Sequence, residues 1–297
     1  MRFDDEQVDA SELDDQRGGG GGGLGRIAMG GGGAGVLGLV IYLLVSVLGV
    51  GGGSTGAPLS GGGSGTGSGR GSASDVAQRC NTAGAIDQYD DCFVLKAFNE
   101  VNEVWSAQFA RSGQTYTKPR LVYFSQAVRT GCGAASSQVG PFYCPPDRKV
   151  YIDLGFLDQL QRQFGAQGRY AQAYIVAHEV GHHLQTLTGT EARLRQAQQA
   201  APSRENALSV QLELQADCYA GVWSTLANTG GNVTIGEADL DEALGAAQAV
   251  GDDRIQARAG EVNPETWTHG SAQQRRDAFL TGYRGATMSA CGTVPHA

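Results

Sequence analysis

His178 and His182 stand four residues apart with Glu179 between them, in the segment RYAQAYIVAHEVGHHLQTL. On a helix, positions i and i+4 share one face a turn apart, so both imidazoles can reach a single zinc ion. Glu179 then falls beside that ion, placed to take a proton from a water that the metal polarises. The segment reads as helix on its own terms. No proline interrupts residues 168–187, and Ile175, Val176, Val180 and Leu184 supply an apolar stripe. Gly181 costs such a helix roughly 1 kcal/mol relative to Ala, and a small residue there admits the close approach of another backbone. Three of the five histidines in the 297-residue chain fall within positions 178–183, which concentrates the chemistry here. The competing reading is a surface helix that happens to carry His and Glu, since HExxH arises by chance in about one chain per hundred of this length.

A catalytic zinc needs a third protein ligand and one open position. No histidine follows at the HExxHxxGxxH spacing, so the third ligand comes from elsewhere. Glu213 and Asp217, again i and i+4, lie in QLELQADCYAGVW. One carboxylate can bind zinc while the other accepts the distal N–H of a ligating histidine. The spacing alone leaves open which does which, and an exposed acidic pair is the plain alternative. His183 lies roughly 140° around the helix from His178, where it packs or meets solvent. His269, in WTHGS ahead of an expected helix, can donate a hydrogen bond to the oxyanion of acyl transfer, or serve only as a loop or capping residue. Arg275 can orient Asp217 or Glu213, the default being a solvated helix arginine.

The elements that must hold these residues follow from periodicity. Apolar spacing of three and four predicts helices over 89–110, 170–187, 207–226, 237–250 and 272–284, and strands over 120–125 and 149–153. The strand at 149–153 is expected at a sheet edge, where an extended peptide can add to it, unless it is an ordinary core strand. Strands precede mostly helical sequence, so the class is α+β.

Before that domain the composition changes. Twenty-five of the 46 glycines lie in residues 18–71, so the first quarter of the chain does not read as globular. Residues 1–33 are expected as a disordered cytoplasmic tail, 34–53 as a retained transmembrane anchor, 54–75 as a Gly/Ser-rich linker and 76–297 as the catalytic domain. The anchor rests on 17 uncharged residues from Ala34 to Val50 with uncharged glycines on both sides; a cleaved signal peptide is the alternative. Arg2, Arg17 and Arg26 precede it and no Lys or Arg follows before Arg70, which places the N-terminus in the cytoplasm and the domain outside. All six cysteines follow the anchor, and an even count in an exported domain suggests disulfides. Local pairing favours Cys80 with Cys92 and Cys132 with Cys144, leaving Cys218 with Cys291, among the other connectivities six cysteines allow. A net charge of −8 without a basic stripe excludes a nucleic-acid partner. The glycine runs match GxGxxG only trivially, since no strand precedes them.

HExGHH, then ELQADCYAGVW, then THGSAQQR resembles the bacterial neutral zinc metallopeptidase family from about Cys80 to the C-terminus. The resemblance implies a zincin-like, mostly helical domain with a small β-sheet, preceded by one transmembrane helix. It also implies a gluzincin-like site, with His178, His182 and Glu213 as ligands of one catalytic zinc, Glu179 as base and Asp217 behind them. The long glycine tracts depart from the family pattern, outside the catalytic domain. The expected activity is peptide-bond hydrolysis on a peptide or protein substrate. The alternatives are a membrane-anchored module that holds zinc without turnover, or a zinc hydrolase of non-peptide bonds. Oligomeric state is not readable from the sequence.

Overall fold

The computed structural model describes residues 1–17, 72–164 and 168–292. Two short strands open the chain, β1 (Arg2–Phe3) and β2 (Leu13–Asp15). Ser72 and Asp75 close a capping box that starts α1 (Ala73–Cys80), followed by the single turn α2 (Ala85–Gln88) and the long α3 (Asp90–Arg111). Five strands come next: β3 (Arg120–Tyr123), β4 (Ala127–Thr130), β5 (Gly133–Ser136), β6 (Phe142–Cys144) and β7 (Lys149–Ile152). The rest is helical apart from β8 (Val233–Thr234): α4 (Leu154–Phe164), α5 (Arg169–Leu187), α6 (Thr190–Ala200), α7 (Glu205–Gly230), α8 (Glu237–Ala249), α9 (Asp252–Ala259) and α10 (Ala272–Gly285).

The main sheet runs β2-β3-β7-β6, with β2, β3 and β7 parallel and β6 antiparallel to β7. Alternation sorts its side chains between two layers. Leu121, Tyr123, Val150 and Ile152 join the large core shared with the helices. Val122 and Tyr151 turn the other way and pack with Phe124, Val128 and Cys144, beneath the β4–β5 hairpin. Burial on both faces explains why RLVY and KVYI read as nearly continuous apolar runs. It also corrects the expected edge position of 149–153: β7 lies between β3 and β6, and β6 takes the edge.

In the helical layer, α5 is buried on nearly all sides, against α3, α7 and α8. Close approach to α7 depends on Gly181, where a Cβ would stand 3.1 Å from the Cα and carbonyl oxygen of Ala216. A reciprocal pair, Gly221 on α7 and Gly282 on α10, lets those two helices touch backbone to backbone, since a methyl at either would overlap the other's main chain. The polar stretch between the motif helices is mostly the helix α6, which buries only Thr190 and Leu194. With so little apolar patterning it carries no clear periodic signal.

The first 17 residues are folded rather than a disordered tail. β1 pairs with β8, β2 pairs with β3, and Phe3, Val8 and Leu13 enter the main core. Side-chain amides extend this pairing. Asn81 exchanges two hydrogen bonds with the backbone of Val8, and Asn99 does the same with Asp9. Arg17 closes the segment, bound to Asp15 and Asp91 and stacked over Tyr123.

That arrangement overturns the expected single-pass membrane protein. Among the described residues no helix is long and apolar enough to cross a membrane. The span expected at 34–53 lies outside the described residues, as does the linker up to residue 71. Its two flanks, however, share one sheet and one core. A single crossing between them would leave them on opposite faces of a bilayer. Among the described residues the α+β class stands, with no transmembrane helix before it. The membrane partner falls with it, as do the cytoplasmic N-terminus and the extracytoplasmic domain inferred from it.

Candidate metal centre

The motif helix and the later carboxylate helix meet where Gly181 faces Ala216. This brings His178, His182 and Glu213 together, with ligating atoms all within 4.8 Å of one another. His178 Nε2 lies 3.2 Å from Glu213 Oε2, and His182 Nε2 lies 3.5 Å from Oε1. Donors on a tetrahedral zinc with bonds of about 2.0–2.1 Å stand roughly 3.3–3.4 Å apart, so the spacing fits. Glu213 Oε1 is buried without a hydrogen-bond partner, a costly arrangement unless a cation meets it. Burial raises the pKa of this carboxyl, but the facing rings of His182, His269 and His178 outweigh it and hold the group well below the carboxylate range.

The far nitrogen of each ring fixes its tautomer. His178 Nδ1 lies 2.8 Å from Asp217 Oδ1 and must donate, because a carboxylate only accepts. His182 Nδ1 lies 2.9 Å from Gln185 Oε1. Nε2 of each ring is thereby the nitrogen turned toward Glu213 and a metal. Burial lowers the pKa of His178, yet the Asp217 carboxylate outweighs it and holds the ring up at about 10. A cation on Nε2 must therefore displace a proton as it binds.

Asp217 is itself held. Arg275 grips it with a fork, Nε to Oδ2 at 2.8 Å and Nη2 to Oδ1 at 2.9 Å, and the Tyr174 hydroxyl donates to Oδ1. All three groups are buried. Of the two options the sequence left for Arg275, the structure places it on Asp217 rather than Glu213. Glu179 is buried beside both histidines. Burial raises its pKa against the pull of His178 and His182, with Glu213 adding to the rise.

His269 sits two residues before the cap of α10, which is Ser271 in a capping box with Gln274. Asp252, the first residue of α9, clamps the turn beneath it. Its Oδ2 accepts the backbone N–H of Thr268, His269 and Gly270 at 2.8, 2.7 and 3.0 Å, and Oδ1 lies 3.3 Å from His269 Nδ1. Asp252 lies 17 residues from His269, and no local pattern links the two. Gln185 carries no local signal either, because a glutamine three residues after a histidine looks like ordinary helix surface. His183 lies apart from the metal ligands. Its ring bridges the Tyr143 hydroxyl at 2.9 Å and the Thr117 carbonyl at 2.7 Å, and burial drives its pKa down to about 4, so it stays neutral and structural.

Disulfides join Cys80 to Cys92, Cys132 to Cys144 and Cys218 to Cys291. The first bridge, with Asp91, forms another close cluster of metal-ligating residue types, but its two sulfurs are bonded to each other and offer no thiolate.

The chain is 42% identical over 260 residues to "Uncharacterized protein YpfJ" of Escherichia coli K12, covering 86% of each chain. It is 44% identical over 229 residues to "Uncharacterized protein Rv2575" of Mycobacterium tuberculosis H37Rv, covering 74% of this chain and 75% of that one. No solved structure matches. Residues 1–294 match the family described as "Putative neutral zinc metallopeptidase". With a zinc site of two HExxH histidines and a later glutamate, the chain belongs to this zinc metallopeptidase family and is a gluzincin-like zinc enzyme.

Proposed function

We propose that the chain hydrolyses peptide bonds with His178, His182 and Glu213 holding zinc and Glu179 acting as general base. The observation that carries this reading is the convergence of two imidazole Nε2 atoms and an unpartnered Glu213 oxygen beside a buried, otherwise uncommitted carboxylate. Bound zinc lowers the pKa of water toward neutrality and polarises a carbonyl. Glu179 accepts the water's proton and passes it to the departing amine. His269, steadied by Asp252, donates a hydrogen bond to the substrate carbonyl oxygen as that atom gains charge. Asp217 and Arg275 act behind His178, keeping its Nδ1 protonated and its ring aimed.

The test is cleavage of an unbiased peptide library, run beside ester and non-peptide amide substrates, with metal content measured on the same protein. Chelator-sensitive peptide cleavage that Glu179→Gln abolishes while zinc stays bound is the expected result. Full peptide cleavage by Glu179→Gln would remove the base assignment. Turnover of esters with no peptide cleavage would remove peptide bonds as the target.

A further inference from the structure

The two ligating histidines are held in different ways. His178 faces a carboxylate whose charge Arg275 balances. His182 faces a neutral amide. Gln185 lies one turn beyond His182 on α5 and is fully buried. Its Nε2 donates to the Leu212 carbonyl at 2.7 Å and to Gln215 Oε1 at 3.1 Å, both on α7. Gln215 is fixed in turn, since its Nε2 donates to the Gly292 carbonyl at 2.8 Å, one residue beyond the cysteine bridged to Cys218.

These partners leave the Gln185 amide one orientation. Flipped, its oxygen would face the Leu212 carbonyl and the Gln215 oxygen, while its N–H groups would face His182. Acceptors on α7 therefore force Oε1 toward His182 Nδ1, which must donate, and Nε2 is left unprotonated. A neutral acceptor suits this place. Glu179 and Glu213 already carry two negative charges against one divalent cation, and a further carboxylate would leave the buried cluster with excess charge.

We propose that Gln185 is the positioning residue for His182, setting its tautomer and aim through α7, so that zinc retention depends on a glutamine that touches no metal. The inference rests on the zinc reading of the site but not on the bond that the enzyme cuts.

Its test is zinc affinity, measured on the full chain by competition with a chromogenic chelator, with ¹⁵N chemical shifts of the His182 ring as a second readout. Gln185→Leu should weaken zinc binding about 10–100-fold, the usual loss when a partner behind a metal ligand is removed. It should also shift the His182 ring toward a mixture of tautomers. Gln172→Leu controls for the loss of a buried glutamine on the same helix, since Gln172 is buried with its oxygen unpartnered; it should leave both readouts unchanged. Gln185→Met removes the acceptor while keeping the side chain's length, and carries the test if Gln185→Leu does not fold: zinc affinity should fall in the same way. Wild-type affinity in Gln185→Leu or Gln185→Met, or an equal loss in Gln172→Leu, would each overturn the proposal. A wild-type chain that binds no zinc would instead strike the metal reading beneath it.

Discussion

Two helices of this fold each carry a buried polar pair one turn apart, and the pairs differ in what completes them. On α3, Lys96 and Glu100 lie 2.9 Å apart, nearly excluded from solvent, and the ammonium also donates to the Gln7 carbonyl at 3.0 Å. The ammonium also lies 3.8 Å from Asp5, so each carboxylate meets a cation, and Lys96 fastens the N-terminal segment to the helix. On α5, His178 and His182 meet Glu213 and Glu179, while the arginine packed nearby is already committed to Asp217. Neither carboxylate there pairs with a lysine or arginine among the described residues, and two imidazole Nε2 atoms converge on Glu213. Buried charge alone therefore does not mark a reactive site. A convergence of metal-ligating atoms does.

The contrast can be broken or sharpened by substitution. The largest effect is expected from Glu213→Ala, where loss of a ligand should weaken zinc binding beyond the 10–100-fold typical of residues behind the ligands. Peptide cleavage should disappear with it, both read on one preparation. The double change Lys96→Met with Glu100→Leu should leave zinc content and turnover at wild-type levels; a loss of zinc there would dissolve the distinction between the two pairs. Next comes Glu179→Gln, expected to lower kcat by about 10²–10⁴-fold with one zinc per chain retained. A comparable loss of stability, about 3–5 kcal/mol in urea melts, should follow Lys96→Met alone, because it strands a buried carboxylate. Replacing both partners should recover most of it. The smallest effect is on the metal-free chain: free zinc at 100 times its Kd should stabilise the wild type by about 2.7 kcal/mol. The same addition should do nothing to the melt of Glu213→Ala, and an equal gain there would place the zinc elsewhere.

The histidines and the Glu213–Asp217 pair were legible because helical spacing is local, and a four-residue offset fixes a shared face without any tertiary information. Arg275 was legible only as one of two options, since choosing Asp217 depends on how α10 crosses α7. Asp252 and Gln185 act through partners in other elements, so nothing in their own neighbourhoods distinguishes them from surface residues. Strand order failed for the same reason: KVYI announces burial, but which strand takes the edge is decided by pairing between distant segments. The N-terminal segment misled through composition. Seven acids in its first 16 residues suggest a solvated tail, whereas the segment is held mainly by backbone pairing, two asparagine side chains and three apolar anchors, which composition does not register.

Gly181, Gly221 and Gly282 carry no chemistry, yet they set how closely α5, α7 and α10 can lie. A saturation mutagenesis screen for activity should therefore find these three positions about as intolerant as the zinc ligands. The two kinds of intolerance would separate by protein abundance: ligand variants should accumulate as inactive protein, and glycine variants should be depleted. Ranked by sensitivity alone, such a map would mistake the scaffold's tightest contacts for its active site.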